Sequence, residues 1–326
     1  MKNVIGLDLG GTNSVLGIVD SRGSIKATTA IKTQSYTTAE AFVDAALSAL
    51  NILIEQEGGI ANMSAMGIGA PNGNYYSGAI EYAPNLCWAH NGVVPLAEMF
   101  SQRLGIPVAL TNDANAAAIG EMTYGVARGM KNFIVLTLGT GVGSGIVLNG
   151  QLIYGHDGFA GELGHVNVVS HDGRVCGCGR QGCLEAYCSA TGVARTARER
   201  LANTDKPSLL RVMNADDITS LDVAMAAQKG DKLAVEVYEF TGTMLGKACA
   251  DFAAFCSPEA FIFFGGLTKA GDLIMNPIKK GFADNALTIF KGKPKFLVSG
   301  LDGASAAVLG ASAIGWELAN KMMTHR

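Results

Sequence analysis

The sequence predicts an α/β protein of two similar lobes with a cleft between them, and three observations carry that reading. The order strand, glycine turn, strand, tight turn, strand occurs twice, at residues 4–31 and 132–154, which reads as an internal duplication with one copy in each lobe. Hydrophobic residues make up 48% of the 326 residues and charged residues 16%, a balance that suits a well-buried core and excludes a disordered chain. No Pro/Gly-rich linker divides the copies, so the lobes are expected to form one intimate body. A chain of this length accommodates two domains. The expected division is a smaller N-terminal lobe over 1–115, joined by a closing helix at about 304–326, and a larger lobe over 116–303.

The elements follow in order. Val4 to Leu9 is an apolar run stopped by Gly10-Gly11-Thr12; Ser14 to Val19 and Ile25 to Ile31 complete an antiparallel meander. From Ala39 to Gln56, Phe42, Ala46, Leu50 and Leu53 fall at helical spacing. Ala65 to Gly69 is a short strand ending at the turn Ala70-Pro71-Asn72-Gly73, and a polar stretch runs on to Trp88. Pro95 to Leu104 is helical, Val108 to Leu110 a strand, and Ala114 to Tyr124 an alanine-rich helix. Asn132 to Leu138 opens the second copy; a glycine turn, a strand through Leu148, Asn149-Gly150 and a strand at Leu152 to Tyr154 follow, with Asn-Gly a strong hairpin signal. Helices are expected at Thr191–Leu201, Leu221–Lys229 and Ala234–Phe255, strands at Ala260–Phe264 and Phe296–Ser299, and a closing helix at Ala304–Met322, rich enough in Ala and Gly to pack closely.

Charge and hydropathy exclude some partners. The net charge is −3 with no long basic stripe, so nucleic acid is not an expected partner, and the short lysine groups at 279–280 and 291–295 read as solvated surface. No stretch reaches the roughly 18–20 uninterrupted apolar residues of a membrane span. Asp8 interrupts the first apolar run and no cleavage site follows, so this is a first strand rather than a signal peptide; a cytoplasmic location is expected.

The densest chemistry lies between Glu162 and Glu185. Cys176, Cys178 and Cys183 are threaded through Gly177, Gly179 and Gly182, and His165 precedes them. Thiolate and imidazole are the ligands of a closed tetrahedral zinc site, and the glycines let so short a loop turn its sulfurs inward. The competing reading is one disulfide plus a spare thiol, which a reducing compartment disfavours. His171 competes with His165 for the fourth position, whereas His90, His156 and His325 have no comparable spacing. Cys249 and Cys256 read as core packing on a helix. A zinc clamp here would bring Glu162 and Glu185 together.

Two glycine turns follow strands in matching places. In Asp8-Leu9-Gly10-Gly11-Thr12 the glycines allow close approach of an anion, Thr12 adds a hydroxyl, and Asp8 suits Mg²⁺ or its water shell; a plain hairpin explains the motif about equally well. Gly139-Thr140-Gly141-Val142-Gly143 repeats that chemistry, and it is neither a Rossmann turn nor a P-loop. Gly265-Gly266 after a buried strand either admits an adenine ring or simply ends the strand. Asp113, after Asn112, can accept a proton from an attacking hydroxyl; the rival role is N-cap of the helix that begins there.

These residues in this order resemble the ROK family of bacterial sugar kinases and sugar-responsive repressors, within the actin/hexokinase-like (ribonuclease H-like) fold, whose lobes each repeat a βββαβα pattern. Asp8-x-Gly-Gly-Thr12 and Leu138-Gly-Thr-Gly-x-Gly143 match two phosphate motifs, Gly265-Gly266 matches the adenosine region, and Glu162-x-Gly-His165 with Cys176-x-Cys-Gly-x-x-Gly-Cys183-x-Glu185 matches the family's specific signature. The resemblance implies an ATP- and Mg²⁺-dependent hexose kinase, most simply a glucokinase acting on the 6-hydroxyl, with N-acetylhexosamine and fructose as alternative substrates. It implies that Asn85, Asn112, Asp113, Glu162, His165 and Glu185 bind sugar hydroxyls, that Asp113 is the base, that His165, Cys176, Cys178 and Cys183 hold structural zinc, and that the chain forms a homodimer. The sequence departs from the family at Asn72, where Gly is usual. A repressor would carry a helix-turn-helix ahead of the first strand, and a strand starting by Val4 leaves no room for one; a non-catalytic sugar-binding protein is the other alternative.

Overall fold

The computed structural model describes residues 2–301 and 303–324, so His325 and the end of the expected closing helix lie outside the described residues. Two compact units emerge: Met1–Met130 with Leu152–Ala160 and Ser299–Arg326, and Lys131–Gln151 with Gly161–Val298.

In the first unit, β1 (Asn3–Leu9), β2 (Ser14–Val19), β3 (Ile25–Ile31), β4 (Met63–Gly69) and β8 (Val108–Thr111) form a sheet ordered β3-β2-β1-β4-β8. β1 and β2 pair antiparallel from Val4↔Val19 to Leu9↔Ser14, and β4 and β8 add on in parallel. The central strand is apolar and buried from Val4 to Leu7, with Asp8 the exception, because both its faces are covered. One cover is helix α1 (Ala39–Gln56), capped by the Thr38 side chain and burying Phe42, Ala46, Leu50 and Leu53 as its spacing requires. The other is the closing helix, α9 (Gly303–Thr324), which meets the strands at backbone contact. A Cβ on Gly6 would stand 2.5 Å from Val308 O and one on Gly67 2.0 Å from Ala311 O, so these strand glycines admit the helix.

Between β4 and β8 lie β5 (Gly73–Asn74), β6 (Ala79–Glu81), β7 (Val93–Val94) and α2 (Leu96–Leu104). The small sheet β5-β6-β7 was not expected in the polar stretch; strands of two or three residues are too short to show alternation. Asn72 takes a left-handed φ of 50°, and its Nδ2 donates to the carbonyls of Glu81 (3.0 Å) and Tyr82 (3.2 Å). The turn is therefore kept without glycine. α3 (Asp113–Thr123) packs on α9 where Gly120 faces Gly310.

The second unit repeats the pattern. β9 (Phe133–Leu138), β10 (Val142–Leu148), β11 (Gln151–Leu152), β12 (Ala260–Phe264) and β13 (Lys295–Val298) form a sheet ordered β11-β10-β9-β12-β13, the same order as the first. The third strand stops at Leu152, short of the Tyr154 expected. After the metal loop come α4 (Glu185–Cys188), α5 (Ala190–Ala202), α6 (Ser220–Gln228), α7 (Lys232–Cys256) and α8 (Asp272–Asn285). α8 was not expected, because Pro277 lies inside it. It packs so closely on α7 that a Cβ on Gly242 would stand 2.6 Å from Pro277 Cβ, and one on Gly246 2.1 Å from Ile278 O.

Candidate active site and metal loop

The second unit gathers the cysteine cluster. The ligand atoms of His165, Cys176, Cys178 and Cys183 all lie within 4.8 Å of one another. His165 Nδ1 is 3.7 Å from Cys176 Sγ, and Cys178 Sγ is 3.7 Å from Cys183 Sγ. Zn–S bonds of ~2.3 Å place tetrahedral sulfurs about 3.8 Å apart, so the donor set fits zinc in both composition and spacing. All seven cysteines are free, which disposes of the disulfide reading, and His165 rather than the exposed His171 completes the set. Burial pushes the Cys176 thiol up to about 12, so the thiolate form needs a nearby cation. Nδ1 faces the sulfurs, which leaves Nε2 on the outer edge of the ring.

Backbone bonds shape this loop before any metal arrives. Cys176 N–H donates to Arg180 O (2.8 Å), Gly179 N–H to Cys176 O (3.0 Å) and Val168 N–H to Gly182 O (2.8 Å). Gly179 (φ 84°) and Gly182 (φ 79°) take conformations that other residues rarely adopt. Arg174, which the sequence reading passed over, ties the loop to the helices. Its guanidinium stacks 4.6 Å from the Tyr187 ring, donates to Ala186 O (3.1 Å) and pairs with Glu199 (2.5 Å). An arginine outside the cysteine motif gave no signal of that role.

Glu185 opens α4 directly after the cluster. Its Oε1 lies 3.4 Å from Cys176 Sγ, and its Oε2 accepts from Val142 N–H at 2.9 Å. The Gly139–Gly143 turn and the metal loop thus meet at one carboxylate, a link the sequence hides because half of it is backbone. The turn is tethered elsewhere too: Gly139 O accepts from Ala190 N–H (2.8 Å), and Thr140 O from Thr191 Oγ1 (3.0 Å). Gly139 N–H is held by Gly141 O (3.0 Å) and Gly143 N–H by Thr137 Oγ1 (3.2 Å), so several of the turn's amides already have acceptors. Glu162 precedes the 3₁₀ turn Leu163–His165 and is exposed. Gly265 (φ 108°) crosses tightly over Leu138, whereas Gly266 faces open space.

In the first unit, Asp8 near the end of β1 and Asp113 just past β8 come close enough for the Asp113 charge to act on Asp8. Burial chiefly, and the Asp113 charge next, push Asp8 up to about 6. Asp113 still reaches solvent, yet the protein packed around its carboxyl raises its pKa; the Ala114 N–H bond to Oδ1 (2.9 Å) partly offsets this. Asn112 is the helix N-cap, its Oδ1 accepting from Asn115 N–H at 2.7 Å, so Asp113 is not the cap. The Gly10–Asn13 turn closes with Gly10 N–H on Asn13 O (3.1 Å), and Thr12 Oγ1 accepts from Gln34. Asn85 lies against this turn, within 3.2 Å of where a Gly11 Cβ would stand. A cavity of about 600 Å³ beside Tyr76, Glu98 and Gln102 in the same unit holds none of the candidate residues.

Two five-stranded sheets of identical order, each opening on a strand pair joined by a glycine turn, define the actin/hexokinase-like class. The chain belongs to the ROK family, whose model matches residues 4–317. A glucokinase of Streptomyces coelicolor is 40% identical over 288 residues, 86% of this chain and 87% of that one. The crystal structure of a ROK family glucokinase from Streptomyces griseus in complex with glucose and AMPPNP is 36% identical, with a TM-score of 0.79 over 97% of this chain and 99% of that one. A xylose repressor of Caldicellulosiruptor bescii is 30% identical over 66% of this chain and 53% of its own length. No helix among the described residues is long and apolar enough to cross a membrane.

Proposed function

We propose that this chain transfers the γ-phosphoryl group of ATP to the 6-hydroxyl of a hexose, glucose above others. The observation that carries the reading is the pair Asp8, near the end of β1, and Asp113, just past β8, close enough for the Asp113 charge to act on Asp8 although β4 separates the two strands. Asp113 is the base: one oxygen is held by Ala114 N–H, and the other takes the 6-hydroxyl proton as that oxygen attacks the phosphorus and ADP leaves. A pKa raised toward the working pH makes the carboxylate a better acceptor. Asp8, whose charge is costly next to Asp113, suits Mg²⁺ or its water shell, which neutralises phosphate charge.

In this reading Asn85, Asn112, Asp113, Glu162, His165 and Glu185 bind sugar hydroxyls. Gly10, Gly11, Thr12, Gly139, Thr140, Gly141, Gly143, Gly265 and Gly266 take the nucleotide. His165, Cys176, Cys178 and Cys183 hold zinc, which serves as a clamp: the residue set fixes the imidazole so that Nε2 can meet a hydroxyl. Glucose is favoured because the relatives at 36–40% identity are glucokinases.

A coupled ADP-release assay over a panel of hexoses tests this. Glucose should give the highest kcat/KM; a maximum at N-acetylglucosamine, N-acetylmannosamine or fructose would reassign the sugar, and no turnover with any would favour a sensor related to the xylose repressor. A homodimer in the cytoplasm is proposed from family likeness, and light scattering on the purified chain checks the dimer.

A further inference from the structure

Gly141 stands where a side chain would collide with Glu185. A Cβ there would lie 2.4 Å from Glu185 Oε2 and 3.3 Å from Cδ, while Gly139, two residues earlier, faces open space. The conflicting atom is the far end of a flexible side chain, so an added methyl displaces the carboxylate rather than the backbone. Glu185 Oε2 is pinned on Val142 N–H at 2.9 Å, and this fixes where Oε1 can sit. We propose that Gly141 is a positioning residue for the sugar site: its missing side chain lets Glu185 dock on Val142 N–H and so holds Oε1 where it accepts a hexose hydroxyl. A glycine in the nucleotide turn thereby sets affinity for the other substrate. The inference rests on the reading that Glu185 binds sugar.

The test is glucose titration by calorimetry without nucleotide on the full chain, comparing wild type, Gly141→Ala, Gly92→Ala, Glu185→Ala and the double variant Gly141→Ala/Glu185→Ala. Loss of a charge-assisted hydrogen bond corresponds to a roughly ten- to hundredfold weaker Kd, expected for Gly141→Ala and Glu185→Ala but not for Gly92→Ala, whose added methyl meets nothing within 4 Å. In the Glu185→Ala background, Gly141→Ala should add less than about twofold, because its effect runs through that carboxylate. Zinc content and Tm of Gly141→Ala should match wild type; loss of either contradicts the claim that only the carboxylate moves. If wild type binds glucose and Gly141→Ala binds it equally well, or if the two losses simply multiply, this inference fails while the sugar reading stands. If wild type binds no hexose, both fail.

Discussion

Asp113 and Asp8 are two carboxylates whose environments set them apart from the other acids of the chain. For Asp113 the expected outcome of substitution is specific: Asp113→Asn lowers kcat by about 10²–10⁴-fold, the usual worth of a general base, while calorimetry still detects glucose binding. Asp8 makes a statement about stability. Its folded pKa of about 6 lies above the ordinary 3.8, so the folded state holds the proton more tightly than the unfolded one. Stability therefore falls as pH rises from about 4 to about 6, then levels off. Asp8→Asn should leave Tm unchanged at pH 4 and raise it at pH 7.5 in Mg²⁺-free buffer, read by calorimetry. Wild-type turnover should decline as pH drops through about 6, where Asp8 takes up its proton. Asp113 was legible as a candidate from its place after a strand, but its rival role as cap was not excluded, because Asn112 and Asp113 are both good caps. Only coordinates show that Asn112 Oδ1 reaches Asn115 N–H.

Helices and loops were legible in proportion to how much of their packing is periodic. α1 matches its expected bounds because its apolar stripe and the Thr38 cap agree. α8 was lost because Pro277 argues against a helix, whereas its ring in fact packs against the bare backbone of Gly242. That packing yields a stability prediction. Gly246→Ala would bring a methyl against Ile278 O and Phe282 N, backbone atoms that move only with the whole of α8. A loss of about 1–3 kcal/mol in urea denaturation is expected, as for an overpacked core. Gly92→Ala, which meets nothing within 4 Å, should change stability by no more than a few tenths of a kcal/mol. The gathering of His165 with Cys176, Cys178 and Cys183 was legible from composition and spacing alone. Its non-metal supports were not, because Arg174, although two residues before Cys176, acts through helix carbonyls and Glu199, and the Val142 N–H lies far from the cysteines in sequence. These supports imply a graded response to losing the metal. Cys178→Ser should abolish stoichiometric zinc and weaken glucose binding, yet far-ultraviolet circular dichroism should stay near wild type, since the loop's backbone bonds and the Arg174 anchor persist.

For the molecule as a whole, the duplication was the most informative feature of the sequence. Two glycine turns in matching places between strand pairs announced two sheets of the same order, and the strands follow β3-β2-β1-β4-β8 and β11-β10-β9-β12-β13. The identity of the sugar was not legible in the same way. Hexoses present similar hydroxyls, and discrimination among them depends on the walls of a pocket rather than on the residues that grip. The preference for glucose is therefore argued from relatives, whereas the gripping apparatus is argued from His165, the three cysteines and Glu185. The account depends most on that apparatus being clamped by a metal. Elemental analysis of the fraction that phosphorylates glucose tests this most directly. It should find one zinc per chain, and fully active protein with less than a tenth of that would contradict the account.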